Sequence, residues 1–202
     1  PDKPWQAKSE FNELHFEGEG ADINNYLNKK FYRDIQWREY ELEEEFFRIR
    51  LQEMVEEREK ALSTAGLDAN FIKREKESIG YERNYQLASW IIMGHGGKQV
   101  SEESWSELRR ALTEEKEAWG IFEYPESIKR TLFALHAQGE GTEGAYALLI
   151  KVLKESEKYR DKRLVENLVV KSVMEYVRMY GMENTEEMDR IFRKRVHRLD
   201  YV

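Results

Sequence analysis

The residues Gly139-Glu140-Gly141-Thr142-Glu143-Gly144 match GxGxxG letter for letter. In a dinucleotide fold such glycines follow a strand and let the backbone approach a pyrophosphate at a helix N-terminus. Here the preceding residues, Ile128 to His136, repeat with a helical period, and Glu140 and Glu143 would repel phosphate. The segment therefore reads as a loop between helices. A second glycine cluster, Met93-Gly94-His95-Gly96-Gly97-Lys98, leaves too few residues before its Gly-Lys pair, and Gln99 stands where a hydroxyl is needed. It fails as a phosphate-binding loop and reads as a helix stop followed by a linker.

Metal and acid–base chemistry find no better footing. His15, His95, His136 and His197 lie far apart, and neither HExxH nor Glu-x-x-His occurs. The helical zinc and di-iron spacings are thus missing. Glu39, Glu41, Glu43, Glu44, Glu45, Glu53, Glu56, Glu57 and Glu59 form the densest acidic run. Arg48, Arg50 and Arg58 can relieve it through pairs one helical turn apart, which gives a solvated face or a docking face for a basic partner. With no cysteine, disulfides, thiolate sites and Cys nucleophiles are excluded. No catalytic residue, cofactor or metal is expected. Five cations, Arg190, Arg193, Lys194, Arg195 and Arg198, crowd the last helix and could contact an anionic partner. Cations near a helix C-terminus also complement its dipole without any ligand.

The elements that would carry these residues are all helical. Proline is missing from Trp5 to Tyr124, and Glu, Lys, Arg, Leu and Ala lose little rotamer freedom in a helix. From Asn25 to about Ser63 neither Gly nor Pro intervenes, so one long helix of roughly 55–60 Å is expected at 1.5 Å per residue. Its apolar residues form two stripes rather than one. Leu27, Phe31, Ile35, Leu42, Phe46 and Ile49 lie on one side; Trp37, Tyr40, Phe47, Leu51, Met54, Val55 and Leu62 lie nearly opposite. A helix with one buried face shows one stripe. The segment is therefore sandwiched between neighbours, or broken into two shorter helices.

Further helices are expected from Asp68 to Gly94, after Ser101, from Pro125, after Thr142, after Asp161 to Gly181, and after Thr185, each with a cap or a stop residue in place. The fold class is all-α, with about seven helices: one long N-terminal helix plus an antiparallel helical bundle or hairpin array. Residues 1–22 read as an irregular docking arm, 23–100 as a long-helix hairpin and 101–202 as the bundle. A repeat of 30–45 residues would change the fold. The pair from Thr142 to Gly181 resembles one hairpin of such arrays, without a second copy.

Composition bounds the rest. At 202 residues the chain can bury a substantial core, and no apolar run is long enough to span a bilayer. A soluble chain without a transmembrane segment is expected. The net charge of −7 is uneven: from Lys151 onward thirteen Lys or Arg face ten Asp or Glu, leaving +3, so the first 150 residues carry −10. An acidic body favours basic protein partners over nucleic acid. Two apolar stripes, an aromatic arm and no constellation for catalysis together imply a non-catalytic helical subunit of a larger multi-protein assembly. Trp5, Phe11, Phe16, Trp37, Tyr40, Phe47 and Leu51 are its expected contacts with other subunits. The start at Pro1 instead of Met fits a processed organellar protein, in the mitochondrial matrix or another organelle interior, as in a respiratory complex or ribosome. The alternative is a nucleic-acid-binding helical module using the basic last helix.

Overall fold

The computed structural model describes residues 15–30, 35–95, 100–115, 118, 120–137 and 144–197. Among these residues no strand occurs, and eight α-helices follow one another: α1 (Ala21–Lys30), α2 (Glu44–Thr64), α3 (Ala69–Trp90), α4 (Glu102–Ala111), α5 (Glu123–Ala137), α6 (Ala145–Ser156), α7 (Lys162–Tyr180) and α8 (Glu186–Arg195). A short 3-10 turn (Trp37–Glu41) precedes α2, and a π turn (Ile91–His95) extends α3 to its expected stop. No helix is long and apolar enough to cross a membrane among the described residues.

The expected continuous helix from Asn25 to Ser63 is not formed. Gln36, Leu42 and Glu43 are extended, at ψ 151°, 146° and 155°, and they separate α1 from the 3-10 turn and the turn from α2. No Gly or Pro makes this break. The Glu39 carboxylate does, accepting the Gln36 backbone N–H at 2.5 Å and the Arg50 Nε at 2.6 Å. A side chain that satisfies an orphan N–H starts a new helix without a breaker residue. The break also explains the two stripes. Phe47, Leu51, Met54, Arg58 and Leu62, spaced three and four apart, are the buried face of α2. Phe46 and Ile49, assigned to the other stripe of one long helix, are 60% and 52% exposed.

The chain divides into two compact units at Gly80, inside α3. In the first, Tyr26 of α1 packs on Leu62 and Ile79, its ring edge-on to Phe71 at 5.9 Å, and its hydroxyl donates to Glu75 Oε1 at 3.1 Å. Ahead of α1, the backbone of Phe16 is clasped by the Asn25 amide through bonds of 2.8 and 3.0 Å. Asp68 caps α3 as expected, accepting from the N–H groups of Asn70 and Phe71.

The second unit is organised around α7. Its Leu164 and Leu168 join Tyr124, Ile128, Leu132 and Val152 in one cluster. Val165, Val169, Val170 and Val173 join Leu149, Leu153, Met188 and Ile191 in another. Helix α7 thus serves both clusters. Its ends are set by the residues the sequence points to: Asp161 accepts from the N–H groups of Arg163 and Leu164, and Gly181 ends the helix at φ +82°. Ser101 caps α4, and Pro125 lies in the first turn of α5. Helix α6 begins later than Thr142, with Gly144 as its N-cap; Thr142 falls outside the described residues. Thr185 stands at the N-cap of α8, but its hydroxyl donates back to the Met182 carbonyl at 2.7 Å rather than capping the helix.

Gly80 sits mid-helix, exposed, with nothing within 4 Å of where a Cβ would stand. Replacing it with Ala removes backbone freedom from the unfolded chain without a clash. Gly80→Ala is expected to stabilise the protein by about 0.5–1 kcal/mol, read as a higher urea midpoint with unchanged slope. An unchanged or lowered midpoint would mean that α3 bends there in solution.

Candidate functional site

The apolar face of α7 repeats every three or four residues through Leu164, Leu168, Ser172, Tyr176 and Met179, and its middle is buried. One of these positions breaks the pattern: Ser172 is polar, and Glu175 lies about one turn beyond it, next to Tyr176. Toward the C-terminal end the same face outlasts the core it covers. Met179 and Tyr180 point to the same side as the buried residues, yet are 61% and 59% exposed. A cavity of about 190 Å³ lies under this overhang. Phe133 of α5, Leu148 and Leu149 of α6, and Tyr176 and Met179 of α7 give it apolar walls.

One edge of the cavity is charged. Lys129 Nζ of α5 lies 3.0 Å from Glu175 Oε2 of α7 and 3.0 Å from Glu126 Oε2 of its own helix. Lys171 Nζ of α7 returns the link, 2.5 Å from Glu126 Oε1, with its ammonium 4.7 Å above the Phe122 ring. Burying an ammonium is costly unless it is paired and hydrogen-bonded. Lys129 meets that condition with two carboxylates. Burial pulls its pKa down, but the charge of Glu126 and the bonds to Glu175 and Glu126 outweigh this and raise it above its usual value. Burial likewise pushes Glu126 up, while the Lys171 hydrogen bond and the Lys129 charge win and hold it below the usual carboxylate value.

Two further groups on the same cavity are not used up in this way. Arg130 Nε donates to Ser89 Oγ at 2.9 Å, and its guanidinium lies 5.8 Å from the Tyr85 ring centre. Among the described residues no carboxylate pairs with it. Ser172 is buried to 1% exposure, and its hydroxyl has no hydrogen-bond partner among the described residues. Leaving a hydroxyl buried and unpaired costs about 1–3 kcal/mol. Ser127 and Thr131 also bury unpartnered hydroxyls, but neither borders the cavity.

The residues expected at subunit contacts are dispersed. Trp5 and Phe11 lie outside the described residues. Phe16 is exposed, and Trp37 is 65% exposed with the Arg38 guanidinium 5.7 Å over its ring. Tyr40 is half-buried against Phe47, their rings 5.7 Å apart. Phe47 and Leu51 have no exposed surface: they belong to the core face of α2, because the break at residues 42–43 turns that stripe inward.

The basic cluster on α8 is engaged within the chain. Arg193 pairs with Asp189 at 2.8 Å, Arg190 with Glu187 at 3.8 Å, and Arg195 and Lys194 share Glu157 at 2.7 and 3.8 Å. The Arg195 hydrogen bond is the main reason that the exposed Glu157 carboxyl titrates below its usual range. Arg198 lies outside the described residues. Of the GxGxxG segment only Gly144 is described, and the element before the segment is helix α5 rather than a strand. His95 ends the π turn, while Gly96 to Gln99 lie outside the described residues. The described residues contain no group of three or more His, Asp or Glu arranged to hold a metal.

The cavity itself was missed in the sequence. Its signal is three polar residues on otherwise apolar stripes: Lys129 next to Ile128 and Leu132, and Ser172 and Glu175 between Leu168 and Met179. Comparison with family models, with curated proteins and with solved structures gives no match to this chain.

The ion network generates a pH signature. Glu126 is held below its ordinary pKa of 4.5, so its contribution is present above that value and lost as pH falls through the lower folded value. Lys129 is raised above its ordinary 10.5, so its contribution is complete below that value and lost only at more alkaline pH. Glu126→Gln should therefore lower Tm at neutral pH, and the gap to wild type should close as pH drops below 4.5. A gap that stays constant into acid would show that the carboxylate charge contributes nothing.

Proposed function

We propose that this protein is a non-catalytic helical subunit that works by contact with other proteins in a larger assembly, its helices packed as an antiparallel array. The observation that carries this reading is the number of large apolar side chains left in water on and just beyond the last turns of α7. Met174, Met179, Tyr180 and Met182 are each 59–61% exposed within nine residues. Single exposed apolar residues are ordinary on protein surfaces, but a concentration of them marks an interaction site. Methionine suits such a surface, since its flexible, polarizable side chain adapts to an irregular partner. In the other unit, Phe46 and Ile49 stand one turn apart on the exposed side of α2 and add a second such place.

The rival reading, nucleic-acid binding through α8, draws less support. Its cations would have to give up Glu157, Glu187 and Asp189 before meeting phosphate. Contact through an apolar surface also differs in its salt response, because exposed charge interactions are screened and burial of apolar area is not.

Affinity isolation from the native source with tagged wild type and with Met174→Lys/Met182→Lys tests the proposal. Neither residue lines the cavity. Wild type is expected to retain defined companion chains in stoichiometric amount at low and high salt, and the double variant to lose them while its far-UV spectrum and Tm stay unchanged. Equal recovery with the variant, or recovery that disappears with modest salt or nuclease treatment, would overturn it.

A further inference from the structure

The cavity between α5, α6 and α7 has the properties of a receptor for a small molecule, and its chemistry specifies what kind. Its volume of about 190 Å³ slightly exceeds that of an engineered apolar cavity that holds benzene, about 150 Å³. A ring with a short substituent, or a short aliphatic chain, fills it. Phe133, Leu148, Leu149, Tyr176 and Met179 offer the apolar walls such a body needs. Met179 and Tyr180 are exposed at the rim, so the way in is from solvent.

The polar edge selects the other end of the ligand. Lys129 and Lys171 are matched by Glu126 and Glu175, so among the described residues the Arg130 guanidinium is the surplus positive charge. Its Nε is fixed on Ser89 Oγ and its flat face lies near Tyr85, which leaves the terminal nitrogens for a planar bidentate acceptor. We propose that this cavity binds a small amphipathic carboxylate, its aromatic or short aliphatic body between α5, α6 and α7 and its carboxylate on Arg130.

The site shares Met179 and Tyr180 with the proposed contact surface, but Met174 and Met182, on which that reading is tested, do not border it. Each can fail alone. The test titrates phenylpropanoate, hexanoate, acetate and the neutral phenylpropanamide into the full chain, followed by heteronuclear NMR and calorimetry. Phenylpropanoate and hexanoate are expected to saturate with Kd on the order of 0.1–1 mM, a value ordinary for ligands of this size. The amide and acetate should bind roughly tenfold more weakly or not at all, because one lacks the charge and the other the apolar body. The shifted resonances should be those of Phe133, Leu148, Tyr176 and Met179. Arg130→Gln should weaken phenylpropanoate by about tenfold and leave the amide unchanged. Leu148→Trp should block both acids by filling the mouth. The comparison of acid with amide needs no variant, so it decides the matter even where a substitution harms folding. No saturable shift at these residues, equal affinity for acid and amide, or unchanged binding in Arg130→Gln would each overturn the proposal.

Discussion

The second unit depends on a single buried ammonium. Lys129 sits between α5 and α7 with carboxylates from both helices around it, and Lys171 closes the network from the opposite side. Such a network is not chosen for net stability, because desolvation consumes much of the Coulombic gain. What it provides is geometry. Apolar packing alone tolerates sliding of one helix along another, whereas Lys129 must meet Glu175 while Glu126 meets Lys171. The two links cross between the same pair of helices and fix both their separation and their register. Arg130, the next residue on α5, is thereby held at the cavity edge.

Everything on the apolar side of this network follows from the length of α7. The helix is nineteen residues long, and α6, which shares a cluster with it, has twelve. The long helix cannot be covered along its whole face by the short one. Its first three turns are buried, and its last turn projects Met179 and Tyr180 beyond the core. The cavity and the exposure of Met179 and Tyr180 are two consequences of that one mismatch. The Tyr146–Tyr176–Tyr180 stack, with ring centres 5.7 and 5.0 Å apart, lines the transition from the covered to the uncovered part.

The fold class and most helix ends were legible in the sequence, since caps and stops act locally. Asp68, Ser101, Asp161 and Gly181 behave as their residue types dictate. The break before α2 was not legible. It depends on Glu39 turning back to Gln36 and holding Arg50, a choice among nine glutamates that only tertiary contact can make. The stripe of Phe47 and Leu51 was real, but its meaning inverted once the helix was cut: an expected contact surface is a core. The cavity was hidden for a different reason. Lys129, Ser172 and Glu175 each look like ordinary polar residues along the chain, and only the packing of α5 on α7 brings them to one place.

A double-mutant cycle on Lys129 of α5 and Glu175 of α7 tests this account most directly. Lys129→Met, Glu175→Gln and the double variant would be compared with wild type by urea unfolding at neutral pH. If the buried ammonium locks α5 to α7, the two substitutions are strongly non-additive, with a coupling of about 1–3 kcal/mol. Single effects that add to within about 0.5 kcal/mol would show that the two charges act independently, and would contradict the claim that this network sets the geometry of the site.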